Sequence, residues 1–288
     1  MAVTPGPLKR RHGVLLYSPQ PVKDTPVTPA TAVGMATPRA TSDSGMNNVW
    51  GVGSASVLFM RPGLMQVPIA IPIDHLQPKA FLMRALRATI SPFEVPMNTI
   101  AIGYVDDAAV KYQWQVDNFK IHSVDLAVEA GGPVTATFNG VGDLITVLSG
   151  GTGLSASNLA EEPYKWYDGL FTKDGAAYEA ESFRVTVNHN FTPQPVLYGT
   201  APTTRKRSIK YWTEGNEDIT FEFVRFVQSG VSLQGDTIAD ADYVAAFTNG
   251  ANTMTIALTD AKPITEEIGI DEDLRWTVGS RAKTWLVS

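Results

Sequence analysis

Beyond residue 50 the apolar residues of this chain recur mainly at every second position. That is the spacing of strands with one face on a core, because successive side chains leave a strand on opposite sides. In "QVPIAIPI" (66–73), Val67, Ile69, Ile71 and Ile73 alternate with Pro68, Ala70 and Pro72. The two prolines cannot donate to a ladder, which confines the strand to an edge or a bulge. "SASVLFMR" (54–61) precedes it across the turn pair Pro62-Gly63. In "VKYQWQVDNFKIHSVDLAVEA", Val110, Tyr112, Trp114 and Val116 share one face, with Lys111, Gln113 and Gln115 on the other. The phase changes at Asp117-Asn118 and again near Ser123, and each change predicts a turn or a bulge. Gly131-Gly132 predicts a tight hairpin turn, after which Val134, Ala136 and Phe138 alternate with Thr135, Thr137 and Asn139.

Further strands are predicted in "ESFRVTVNHN", "RSIKYWT" (207–213), "EDITFEFVRFV" and "ANTMTIALTD", and in the C-terminal "DLRWTVGSRAKTWLVS", which Gly279 interrupts. Two segments read as short helices: "DHLQPKAFLMRALRATI", with Asp74 as cap, and "DADYVAAFTNG" (240–250), capped by Asp240 and ended by Gly250. "SGGTGLSASN" (149–158) has the composition of a flexible loop. The fold class is therefore mainly β, a β-sandwich or barrel with one or two short helices. The similarity between the two halves is too loose for a repeat.

Residues 1–48 differ. Seven of the nineteen prolines lie here, among Thr, Ala and Ser, which predicts an extended arm that contributes no core and is dispensable for folding. A plain tail and an arm that orders on a neighbouring subunit both fit this composition. Residues 49–288 form a single β-rich domain in this reading.

The chain has no cysteine, so disulfides and Cys-based zinc sites are excluded. Its net charge of -6 argues against a sequence-independent grip on nucleic acid, which needs a basic face. Charged residues make up 18%, below the usual quarter, as expected where surface meets other protein. No apolar run is long enough for a membrane span, and Val14–Tyr17 is too short for a signal-peptide core. His12, His75, His122 and His189 show no ligand spacing, and the Gly-rich pieces do not continue into a phosphate loop. Glu266, Glu267, Asp271, Glu272 and Asp273, and also Asp236, Asp240 and Asp242, read as solvated acidic loops; their spacing is not that of a calcium loop. Arg205, Lys206, Arg207 and Lys210 read as a basic loop that contacts protein. No catalytic residue, metal site or cofactor is predicted, and the chain reads as a building block.

"DNFKIHSVDLAVEAGGPVTATFNGVGD" resembles the strand, glycine turn and returning strand of bacteriophage tail tube proteins. "ESFRVTVNHNFTPQPVLYG", "IKYWTEGNEDITFEFVRF" and "AAFTNGANTMTIALTDAKPITEEIGIDEDLRWTVGSRAK" are similar to the later parts of that family. The resemblance covers about residues 50–285 and leaves out the proline-rich arm and "QVPIAIPI". It implies a subunit of hexameric rings, assembled in the host cytoplasm and stacked into the tube of the virion tail. It also implies a lumen that DNA crosses without specific binding, a tape-measure protein inside, and terminator and baseplate proteins at the ends. Another virion β-protein, such as a decoration or ligand-binding module, and the tube of a contractile injection system are the alternatives. Within this frame the regions Val110–Asn139 and Phe183–Phe226 would line the lumen, with Gln113, Gln115, Thr135 and Thr137 facing it. The basic and acidic groups at 205–210 and 266–273 would meet between rings.

Overall fold

The alternating segments fold as strands in antiparallel pairs. The computed structural model describes residues 14–35, 39–40, 46–50, 57–62, 67–73, 79–87, 94–105, 111–142, 144–149, 162–198, 206–226, 240–250, 252–270 and 274–288. The first strands are β1 (Val14–Pro19), β2 (Thr31–Met35), β3 (Arg39–Ala40), β4 (Met46–Trp50), β5 (Val57–Pro62) and β6 (Val67–Ile73). After helix α1 (Lys79–Met83) come β7 (Asn98–Val105), β8 (Lys111–Glu129), β9 (Thr135–Gly142) and β10 (Leu144–Ser149). The rest comprises β11 (Gly169–Lys173), β12 (Ala176–Ala177), β13 (Ser182–Asn188), β14 (Phe191–Tyr198), β15 (Lys206–Glu214), β16 (Asp218–Phe226), β17 (Ala241–Thr248), β18 (Thr253–Ile270), β19 (Leu274–Ala282) and β20 (Thr284–Val287).

Two long strands organise the ladders. The first half of β8 lies between β7 and β10, and β7 continues through β1 to β2. Its second half lies between β9 and β13 in a central sheet of order β6-β9-β8-β13-β16-β19-β18. The first half of β18 pairs instead with β17 and β20 in a third sheet that ends in β11 and β12. Both predicted phase changes in β8 are bulges: the register with β7 shifts between Asn98 and Ile100, opposite Phe119 and Val116, and that with β9 shifts between Ile121 and Ser123. Asn118 sits at the first with φ 55°, and Asp260 sits at the matching corner of β18 with φ 49°. Asn and Asp tolerate this left-handed region better than other residues with a side chain.

The central and third sheets bury one face each, whereas consecutive residues of β1 (Leu15 to Ser18) and β7 (Asn98 to Ala101) are buried on both faces. Val124, Leu126, Val128, Phe138, Phe183, Val185, Phe221 and Phe223 form the inner face of the central sheet. Tyr243 of β17 lies 5.0 Å from Phe221 and 4.9 Å from Phe223 between ring centroids, which packs the third sheet on the central one. Phe81 of α1 lies between Tyr17 of β1 (5.0 Å) and Phe138 of β9 (4.8 Å) and so joins the first sheet to the same core. In the turn between β8 and β9, Gly131 has φ 76° and the Gly132 amide donates to Glu129 O at 2.9 Å, as the Gly-Gly pair predicts.

Several expectations are corrected. Residues 241–248 are a strand, not a helix: Ala241, Tyr243, Ala245 and Phe247 are buried at every second position, and pairing with β11 and β18 outweighs the helix propensity of the alanines. The predicted first helix is only Lys79–Met83, followed by a tighter turn of i→i+3 bonds from the amides of Arg84, Ala85 and Leu86; Asp74 lies outside the described residues. The first 48 residues do contribute core. Leu15, Leu16, Tyr17 and Val33 are buried, because β1 adds to the ladder of β7. Gly279 does not interrupt β19: a Cβ there would stand 2.4 Å from Thr265 Oγ1, so the glycine admits the close approach of β18. β6 pairs fully with β9 but, among the described residues, meets only Arg39 and Ala40 of β3 on its other side, which suits its prolines; β5 pairs with β4. The 149–158 loop lies, apart from Ser149 in β10, outside the described residues.

The Asn118 corner is held by side chains. Its Oδ1 accepts from Gln20 Nε2 (2.6 Å) and the Asp24 amide (2.9 Å), its Nδ2 donates to Asp24 Oδ1 (2.9 Å), and its amide donates to Gln20 Oε1 (2.9 Å). Asn118→Ala adds left-handed strain to unpartnered buried groups and should cost about 2–4 kcal/mol in urea unfolding. Asn118→Gly removes the strain and should cost less; an equal loss for both would show that the backbone conformation contributes nothing.

Candidate assembly surfaces

The central sheet has a polar outer face opposite its apolar one. Burial alternates along β9, β13 and β16, which places Thr135 and Thr137 of β9, Arg184 and Thr186 of β13, and Thr220 and Glu222 of β16 on the outer side. Asp125 of β8 stands opposite Thr137 and Thr186. Arg184 Nε donates to Asp125 Oδ1 at 2.8 Å, and its Nη2 reaches the second carboxylate oxygen. The hydrogen bond to Asp125, and then its charge, hold the arginine above its ordinary pKa. Arg281 pairs with Asp218 at 3.0 Å, and Lys262 with Asp240 at 3.2 Å. Of the four lumen candidates, the structure brings Thr135 and Thr137 together on this face. Gln113 and Gln115 lie in the first half of β8, beyond the Asn118 corner, opposite Gly103 and Ala101 of β7. Gln115 turns its amide to Asp117 at 2.9 Å.

The charged groups expected in loops are largely on strands. Lys206, Arg207 and Lys210 belong to β15, which pairs only with β14 among the described residues; Arg205 lies outside them. Glu266 and Glu267 belong to β18, opposite Val278 and Thr277 of β19. Asp271, Glu272 and Asp273 lie outside the described residues. Both groups lie on strands of hairpins that pair along their length: β15 with β14, and β18 with β19. The β14–β15 ribbon leaves the central sheet at the Asn188–Asp218 end of β13 and β16. The β18–β19 hairpin extends past the opposite end, where Ser182 pairs with Glu129 and Val224.

At the root of the basic ribbon lies an ionic cluster. Lys120, its side chain 5% exposed, reaches Glu94 at 3.0 Å and Glu214 at 3.3 Å, and Glu214 is 7% exposed. Glu214 also accepts from the Val95 amide at 3.0 and 3.1 Å. Arg87 donates to the carbonyls of His189 (2.9 Å) and Gly215 (2.6 Å). His189, fully buried, has Nδ1 2.9 Å from Glu217 Oε1, which also accepts from Trp285 Nε1 at 3.2 Å. The His189 amide donates to His122 O at 2.8 Å.

A family model described as "Phage tail tube protein" matches residues 25–273. The chain belongs to the phage tail tube protein family. No curated protein shows significant similarity to it. The match begins inside the proline-rich region, in line with the burial of Val33. This family member is a structural protein of the virion tail. No helix among the described residues is long and apolar enough to cross a membrane. Nor does any group of three or more His, Asp or Glu among them have the placement to hold a metal.

Sequence reasoning missed the ionic cluster of this tail tube protein. Lys120 lies between Phe119 and Ile121 and reads as a solvent-facing position, while Arg87, Glu94, His189, Glu214 and Glu217 come from separate segments. Burial, and then the neighbouring His189, hold the His122 imidazole below its ordinary pKa. Burial acts to raise Glu217, but contacts with His189, Trp285 and Arg87 outweigh it and hold the carboxyl below its usual range. The unfolded chain takes up a proton at His122 near pH 6.5 while the folded chain resists it. Stability should therefore be full above about pH 6.5 and fall as acidification proceeds through the folded pKa of His122. Glu217 adds a second loss below its unfolded value of about 4.3. Thermal melts of His122→Gln should lack the upper loss and keep the lower one; an unchanged profile would remove His122 as its source.

Proposed function

We propose that this chain assembles into rings, hexameric as the family resemblance implies, that stack head to tail into the tail tube. The outer face of the central sheet lines the lumen through which genome DNA passes. One observation carries the lumen reading: a polar face spans the sheet, and its cations Arg184 and Arg281 are each held by a carboxylate. A polyanion sliding past such a wall meets hydroxyls and paired charges, which offer little to hold it. The tape-measure protein in the lumen, and terminator and baseplate proteins at the ends, are the partners this reading calls for. Electron microscopy of the purified chain should show rings or hollow tubes. The protein has no native cysteine, so Thr137→Cys and Thr186→Cys give single labels. Both should react with a bulky maleimide in the monomer and be shielded in tubes; equal reaction in both states would move the lumen elsewhere.

The opposite placement of the two charged hairpins supports head-to-tail stacking, since a heterologous contact joins unlike ends. Each exposed pair contributes only about 0–1 kcal/mol, so the contact depends on repetition around the ring. Replacing Lys206, Arg207 and Lys210 with Glu should stop elongation while the monomer still melts cooperatively. Replacing Glu266 and Glu267 with Lys in the same chain should restore part of it. Normal tubes from the first variant would show that the ribbon and the acidic hairpin do not meet.

A further inference from the structure

The end of the molecule that carries the acidic hairpin also carries an aromatic groove. It encloses about 600 Å³ and is lined by Trp166, Tyr167, Leu170, Tyr178 and Phe226, with Ala130 of the β8–β9 turn at its edge. Tyr167 is 75%, Leu170 59% and Phe226 51% exposed, an unusual grouping of large apolar side chains in water. Its margin carries Glu179 and Glu181, with Glu129 and Asp168 next to lining residues, against Arg225, which lies over Trp276 at 4.0 Å, Arg275, which pairs with Glu181 at 3.0 Å, and Lys165, which pairs with Glu162 at 2.8 Å. Asp271, Glu272 and Asp273 follow Ile270 in the sequence of the acidic hairpin.

Aromatic grooves with acidic margins suit proline-rich segments flanked by basic residues, because proline rings stack on flat aromatic faces and an extended proline segment has little entropy left to lose. The chain has one such segment outside the described residues: Pro5-Gly6-Pro7-Leu8-Lys9-Arg10-Arg11, just ahead of β1. We propose that this segment of one copy docks in the aromatic groove of the next copy. Register excludes docking within one chain. Val14 is level with Gly103 of β7, which is level with Gln113 of β8, whereas the groove adjoins Ala130 beyond the other end of that strand. From Gln113 to Ala130 is about 55 Å at roughly 3.3 Å per residue, and still about 40 Å if the Asn118 corner turned the strand through a right angle. With Pro7 seated, residues 8–13 span at most roughly 22 Å. Val14, the first described residue, and the groove lie at opposite ends of β8, the arrangement a repeating head-to-tail contact requires. The inference uses the tube reading only for that arrangement.

The test uses the full chain, which lacks cysteine. Pro7→Cys with Leu170→Cys, oxidised under assembly conditions, should give a ladder of disulfide-linked multimers. A mixture of the two single variants should give a mixed dimer. Tyr167→Cys serves as a second groove position, and Leu286→Cys, also exposed, as the control away from the groove. Excess peptide of residues 1–13 should cut the groove cross-link at least tenfold. A closed monomer, no cross-link at either groove position, or equal yield at Leu286→Cys would overturn the proposal. Microscopy of the same samples separates the two readings: tubes without the groove cross-link sink this inference alone, and the cross-link without tubes sinks only the tube.

Discussion

The structure depends on two strands that each serve two sheets. β8 and β18 are long enough to pair with one set of neighbours, turn a corner and pair with another. A strand can do this only if its backbone departs from extended geometry at one residue and the lost ladder bonds are replaced. Asn118 and Asp260 take the left-handed conformation at those corners. Side chains from elsewhere then satisfy what the ladder cannot: Gln20 and Asp24 at Asn118, and Asp242 Oδ1 at the Asp260 amide (3.0 Å). Because each corner swaps the neighbours of a continuous strand, the three sheets are covalently continuous, and their aromatic contacts close one core.

That construction leaves the central sheet with one apolar and one polar face and with distinct ends. The end bearing the β8–β9 turn carries the aromatic groove and the acidic hairpin. The other carries the root of the basic ribbon, fixed by buried Lys120 and Glu214. Removing Lys120 would leave buried Glu214 with only Arg87, at 3.7 Å, as a cationic partner, which is more costly than losing an exposed pair. The cluster packs at the root of the ribbon, and the lowered pKa values of His122 and Glu217 make that root sensitive to acid.

A subunit with unlike ends can add indefinitely to its own kind, as the phage tail tube protein family requires. Exposed charge pairs are weak one by one, whereas apolar area removed from water contributes in proportion to its size.

Much of the fold was legible in the sequence because a strand buried on one face must alternate, and the alternation of Val134, Ala136 and Phe138 or of Phe183, Val185 and Val187 is a local property. The breaks in phase at Asp117-Asn118 and Ser123 were equally local and marked the bulges of β8. Pairing partners were not legible. Residues 241–248 carry alanines that suit a helix, and only β11 and β18 on either side make them a strand. Leu15 and Leu16 sit among prolines, and only the ladder of β7 draws them into the core. The lumen candidates show the same limit: Thr135 and Gln115 share polarity and periodicity, yet the Asn118 corner sends them to different sheets. Polarity and period belong to each segment, whereas the sheet a segment joins, and so the surface its polar side chains make, depends on contacts between residues far apart in sequence.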